Sequence, residues 1–90
     1  MTELIWKFNL FDKIQIIEIN RNNNITKIKC SFDKITDTLS ELANNESECK
    51  IYLTGLSEKH LEPFKETILS TMETKYSKNN VEVVIIWDIY

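Results

Sequence analysis

His60 is the single histidine of the chain, and Cys30 and Cys49 are its cysteines. A nucleophilic site would join an imidazole, a thiol and an orienting carboxylate, and a zinc site would draw on the same groups. The spacing supports neither, because the three residues lie far apart in no metal-ligand pattern. His60, flanked by Glu58 and Glu62, is expected to be an exposed polar residue at a helix start, and both cysteines are expected as reduced, partly buried thiols. Gly55 is the only glycine, which rules out a Gly-rich phosphate loop. It stands where a strand gives way to a helix, so an anion at the helix N-terminus is one reading and an ordinary turn the expected one. No metal and no cofactor are expected.

The acids form the more informative set. Asp33, Asp37 and Glu41 recur at helical spacing, and Glu46 and Glu48 extend the run. Asp33 can serve as a helix N-cap and Asp37 favours the positive end of the helix. Capping does not account for Glu41, Glu46 or Glu48, for which a solvated charged face is the ordinary alternative to a binding surface. Lys7, Lys13, Arg21, Lys27 and Lys29 give the N-terminal third a positive balance, with Lys27 and Lys29 on one strand face. Trp6 and Phe8, however, fall on the apolar side of their strand, and the net charge is −3, so nucleic-acid binding is not expected.

These residues need elements to position them. Ninety residues support one domain with a single core. A hydrophobic content of 42% lies well clear of the disordered regime. No stretch approaches the roughly 20 apolar residues of a membrane span, and MTELIWKFNLF lacks the pattern of a signal peptide. A cytoplasmic location is expected. Lysine outnumbers arginine ten to one and Asn and Ile abound, a bias that AT-rich codons explain without chemistry.

LIWKFNLF (4–11) alternates with Leu4, Trp6, Phe8 and Leu10 on one side, the period of a half-buried strand. KIQIIEIN (13–20) changes phase between Ile14, Ile16 and Ile17, Ile19, which predicts a bulge or a partly two-faced strand. RNNN (21–24) predicts a tight turn, since Asn tolerates left-handed backbone, and ITKIKCSF (25–32) completes a hairpin. Ile35, Leu39, Leu42 and Ala43 predict a helix, CKIYLTGL (49–56) a strand, and Leu61, Phe64, Ile68, Met72 and Tyr76 a second helix. Ser57 is its candidate N-cap, with Leu56 and Leu61 spaced as a hydrophobic staple. Pro63 predicts a short turn over 57–61 with the main helix starting near the proline.

The last strand, VEVVIIWDIY, is apolar at its odd positions Val81, Val83, Ile85, Trp87 and Ile89, and also at Val84, Ile86 and Tyr90. Apolarity on both faces predicts an interior parallel strand. The odd face is expected to meet a helix. The even face needs a cover too, and the first helix is favoured over a dimer mate or a partner protein. The expected architecture is α+β (mixed α/β): a five-stranded mixed sheet in the order βββαβαβ with two helices packed on it.

That order of elements resembles the ribonuclease H-like fold, and the likeness spans nearly the whole chain. The resemblance implies metal-binding carboxylates on the first strand, first helix and fourth strand. Strand one, IWKFNL, and strand four, IYLTGL, have none at their centres, and Asp37 and Glu41 alone do not complete a two-metal set. The sequence thus points to binding without catalysis. The expected protein is a small bacterial or phage inhibitor, or toxin-neutralising immunity-type protein. It would dock a basic partner protein, such as a toxin or nuclease, through Asp33, Asp37, Glu41, Glu46, Glu48 and Tyr90. The alternatives are a degenerate ribonuclease H-like or other small enzyme domain, and an oligomerising subunit that pairs, as a homodimer for example, through its C-terminal strand.

Overall fold

A computed structural model describes residues 1–86. The strands are β1 (Thr2–Lys7), β2 (Ile14–Arg21), β3 (Asn24–Ser31), β4 (Cys49–Thr54) and β5 (Glu82–Ile86). The helices are α1 (Ile35–Asn44), entered through a 3-10 turn at Phe32–Lys34, and α2 (Glu58–Thr74). The strands form one mixed sheet in the order β3-β2-β1-β4-β5, with β1, β4 and β5 parallel and β2 antiparallel to both of its neighbours. The expected element order and fold class are both present. No helix among the described residues is long and apolar enough to cross a membrane.

The chain crosses over twice between parallel strands, from β3 to β4 through α1 and from β4 to β5 through α2. Both steps move across the sheet in the same direction, and a right-handed crossover then puts its helix on the same side each time. One core results. Leu4 and Trp6 of β1, Ile17 and Ile19 of β2, and Ile51 and Leu53 of β4 meet Ile35 and Leu39 of α1 and Leu61, Ile68 and Met72 of α2. Each large side chain so buried contributes about 1.5–3 kcal/mol. Trp6 anchors the aromatic part, edge to face with Phe8 at 5.7 Å and with Phe64 at 5.2 Å between ring centroids.

β5 departs from the expected interior position. It lies at the edge of the described sheet, because the second crossover continues outward beyond β4. Val83 is buried and Ile85 packs on the core, as expected for the odd face, while Val84 and Ile86 point to the other side of the sheet. The first helix does not cover that side. Trp87, Ile89 and Tyr90 lie outside the described residues.

Several local expectations are corrected by tertiary packing. The phase change in β2 is no bulge, for its ladder with β3 runs unbroken from Ile14↔Ser31 to Arg21↔Asn24. Gln15, not an apolar residue, fills the core position that the alternation requires, and it is 1% exposed. Leu10 belongs to the β1–β2 loop and is exposed instead of extending β1. Asp33 lies in the 3-10 turn, and neither that turn nor α1 has a side-chain cap. Helix α2 runs through Pro63 from Glu58 onward, held as one body by Leu61, fully buried on one side of the proline, and Phe64, packed on the core on the other.

The turns follow the sequence closely. Asn22 and Asn23 take φ values of 50° and 68°, the pair of left-handed conformations that a type I′ hairpin turn demands. Gly55, at φ +100°, lets β4 end against the backbone of Phe8, whose N and O atoms would lie 2.9 Å and 2.8 Å from any Cβ there. α2 ends with Ser77 in the left-handed region and the Lys78 N–H donating back to the Met72 carbonyl at 2.8 Å.

Two polar ties fasten the α1–β4 connection. The last turn of α1 has no basic residue of its own, and Lys78 supplies one from beyond α2, its Nζ donating to the carbonyls of Ala43 at 3.1 Å, of Asn44 at 3.3 Å and of Glu46. Glu46 accepts from Arg21 Nε at 2.7 Å and from Thr2 Oγ1 at 3.0 Å, joining the ends of β1 and β2 to the same connection. The hydrogen bond from Arg21 holds the Glu46 carboxyl below its ordinary range.

Replacing Asn23 with Ala is expected to lower stability by about 1 kcal/mol, because Ala lacks the short polar side chain whose local hydrogen bonding lets Asn adopt left-handed backbone, while Asn23→Gly is tolerated; urea denaturation checks both. A carboxylate whose folded pKa is depressed stabilises the fold above its unfolded pKa, about 4.3 for glutamate, and this stability is lost as pH falls through the folded value. Thermal melting between pH 6 and pH 2, in steps of about one unit, should therefore show a steeper acid loss for the wild type than for Glu46→Gln. Parallel curves would mean that Glu46 carries no such linkage.

Candidate binding surface on the open side of the sheet

The strand registers map the uncovered face row by row. The central row reads Lys27, Glu18, Ile5, Tyr52, Val84 across β3, β2, β1, β4 and β5. On one side of it lies a polar row of Ile25, Asn20, Glu3, Lys50 and Glu82. Part of that row is paired: Tyr52 OH of the central row donates to Glu3 Oε2 at 3.0 Å, and Lys50 Nζ lies 3.7 Å from Glu82 and 5.5 Å from the Tyr52 ring centroid. The other side carries Lys29 paired with Ile16, and Lys7, Thr54 and Ile86 in register.

At that end the face becomes apolar and concave. A groove of about 720 Å³ opens beneath the β1–β2 loop, walled by Ile5, Phe11, Ile14 and Ile16 and rimmed by Lys7, Asp12, Glu18 and Lys27. Phe11 is 95% exposed and Leu10 68%. Large apolar side chains scattered singly over a surface are ordinary, but a contiguous set around a groove marks an interaction site.

The loop that carries Leu10 and Phe11 is tightly built. Gln15 Oε1 accepts from Trp6 Nε1 at 3.0 Å and from the Asn9 N–H at 2.9 Å, and its Nε2 donates to the carbonyls of Asn9 at 2.9 Å and Asp12 at 2.6 Å. Asn9 Oδ1 accepts from the Phe11 N–H at 3.2 Å, and Asp12 Oδ1 from the Ile14 N–H at 3.0 Å, the local turns that Asn and Asp favour. One buried amide thus couples the Trp6 core to the loop tip, so the tip is held in place by the fold.

The acids expected to bind a partner divide. Asp37 and Glu41 are exposed and four residues apart on α1, on the helical side of the molecule, and Glu48 is exposed in the α1–β4 connection. Asp33 is exposed but precedes α1, so it does not continue a single stripe. Glu46 is engaged by Arg21 and Thr2 and acts as a structural tie. Tyr90 falls outside the described residues. His60 is exposed, its Nδ1 2.6 Å from Ser57 Oγ. Cys30 and Cys49 are both free thiols, Cys49 buried on β4 and pushed up to about 11 chiefly by burial, Cys30 raised by burial as well. Among the described residues no three His, Cys, Asp or Glu side chains come together in a way that could hold a metal ion.

Sequence reasoning missed Phe11, Ile14, Ile16 and Gln15 as a group. The signal was present: two adjacent apolar residues, Leu10 and Phe11, break the alternation of β1, and Gln15 carries a polar side chain in the phase of Ile17 and Ile19.

Gln15→Leu leaves the Trp6 indole, the Asn9 N–H and the Asp12 carbonyl without their partner. A stability loss of at least about 2 kcal/mol is expected, with hydrogen exchange accelerated at residues 9–14 more than across the β2–β3 ladder. Uniform acceleration would mean that Gln15 supports the core alone. Comparison with known proteins finds no family model that matches this sequence, no matching curated protein and no matching solved structure.

Proposed function

We propose that the chain is a small non-enzymatic protein-binding domain of the inhibitor or immunity type, and that its contact surface is the open face of the sheet centred on Phe11. The observation that carries this reading is an almost fully exposed Phe11 on a loop held by Gln15, beside a groove walled by Ile5, Ile14 and Ile16. An aromatic anchor on a backbone already ordered by hydrogen bonds gives up less freedom on binding than one on a mobile loop, and such anchors carry most of the energy of protein interfaces. The site therefore moves from the acidic side, where composition placed it, to the opposite side of the molecule.

A second reading keeps the acidic side as the docking surface for a basic partner. It is favoured by Asp37 and Glu41, exposed together on α1 with no salt bridge among the described residues. The two readings separate by mutation. The product of the gene next to its own is the natural first candidate partner, and calorimetric titration against it measures the affinity. On the open-face reading, Phe11→Ser and Ile16→Lys each weaken binding about tenfold or more, and Asp37→Lys with Glu41→Lys changes little. The reverse pattern would overturn it in favour of the acidic side.

A further inference from the structure

We infer that in the free protein a second copy of the chain covers the open face, packed sheet to sheet, with Phe11 of each copy seated in the groove of the other. The inference rests on the reading of that face as a contact surface and names its resting occupant.

Knob and groove occur on the same chain. Phe11 projects almost wholly into solvent from one wall of the groove of about 720 Å³, so knob and groove lie side by side, as a two-fold contact between copies requires. A two-fold interface brings the same patch of both copies together, so the patch must complement itself. The rim is compatible with that condition, because it carries both signs, Lys7 and Lys27 with Asp12 and Glu18, so a copy can offer opposite charges to each. A rim of one sign would repel its copy and steer a partner of the opposite charge.

The polar row at the other end of the face belongs at the solvated rim of such an interface. Glu3 accepts from the Tyr52 hydroxyl and Lys50 is paired with the exposed Glu82, so the row has partners within its own chain while its excess negative charge stays in water. Five strands at about 4.8 Å spacing span roughly 19 Å, and two such faces pack about 10 Å apart with their side chains interdigitated. Ile5, Ile16, Tyr52 and Val84 lie where that layer would form. A heterologous partner on this face then competes with the dimer.

Sedimentation velocity and light scattering over a concentration series test the inference. The wild type is expected to be a dimer, and Phe11→Ser to raise its dissociation constant about tenfold or more. Two rim variants carry the decisive arm: Lys7→Glu with Lys27→Glu makes the rim wholly acidic, and Asp12→Lys with Glu18→Lys makes it wholly basic. Each alone is expected to be monomeric, and an equimolar mixture of the two to form a heterodimer. Circular dichroism reports whether the rim variants fold; should either not fold, Phe11→Ser, which touches no core residue, decides the matter. A wild type that stays monomeric at millimolar concentration, a dimer indifferent to Phe11→Ser, or folded rim variants that do not pair would each overturn the inference. A monomer that binds a partner protein through Phe11 would overturn the dimer and leave the proposed function standing.

Discussion

Two right-handed crossovers that step the same way across one sheet must lay both helices on the same side of it, and most of this structure follows from that constraint. The path β3 to β4 to β5 moves outward in one direction, so α1 and α2 share a face and the core is a single layer between helices and sheet. A chain of 90 residues with two helices has then no element left for the other face among its described residues. The strands accommodate this by alternation. In β1, Leu4 and Trp6 are wholly buried, whereas Ile5 is only half-buried and Lys7 exposed.

The open face divides its length between two physical regimes. At the Glu3 end, charges alternate across the strands and satisfy one another, an arrangement that water solvates readily. At the Ile16 end, apolar side chains accumulate around the loop tip, where solvation is poorest. Gln15 links this second regime to the core. A buried amide in a hydrophobic layer is costly unless every polar atom finds a partner, and here both ends of the amide are used, half toward the Trp6 indole and the loop N–H and half toward two loop carbonyls. Loop order therefore comes from the same packing that stabilises the sheet.

Much of the fold was legible because its signals are local. Asn22 and Asn23 announce the hairpin through their tolerance of left-handed backbone, and Ile35, Leu39 and Ala43 mark a helical stripe that is buried along its whole length. What was not legible depends on placement across the sheet. Val84 and Ile86 are apolar whether β5 lies inside a sheet or faces a binding surface, so composition could not distinguish an interior strand from an edge strand. Pro63 misled for a related reason: the local cost of a proline is visible in sequence, but the fully buried Leu61 that keeps the first turns of α2 helical is a tertiary fact. The resemblance in element order to the ribonuclease H-like fold shows the same limit, since order along the chain says nothing of which side chains converge.

The candidate site was the least legible feature, and the reason is instructive about charge. Asp33, Asp37, Glu41, Glu46 and Glu48 attracted attention as a run, yet folding distributes them over a 3-10 turn, a helix and a connecting loop, and it commits Glu46 to Arg21 and Thr2. Apolar residues are discounted in sequence because most of them go inside. Phe11 goes outside, and it does so on a backbone that Asn9, Asp12 and Gln15 bond into one conformation. A hydrophobic side chain left in water by a flexible loop could fold back onto the protein. A backbone ordered by hydrogen bonds to Asn9, Asp12 and the buried Gln15 restricts that retreat, so the exposure of Phe11 is a property of the fold, and relief of that exposure by a second surface is available as binding energy.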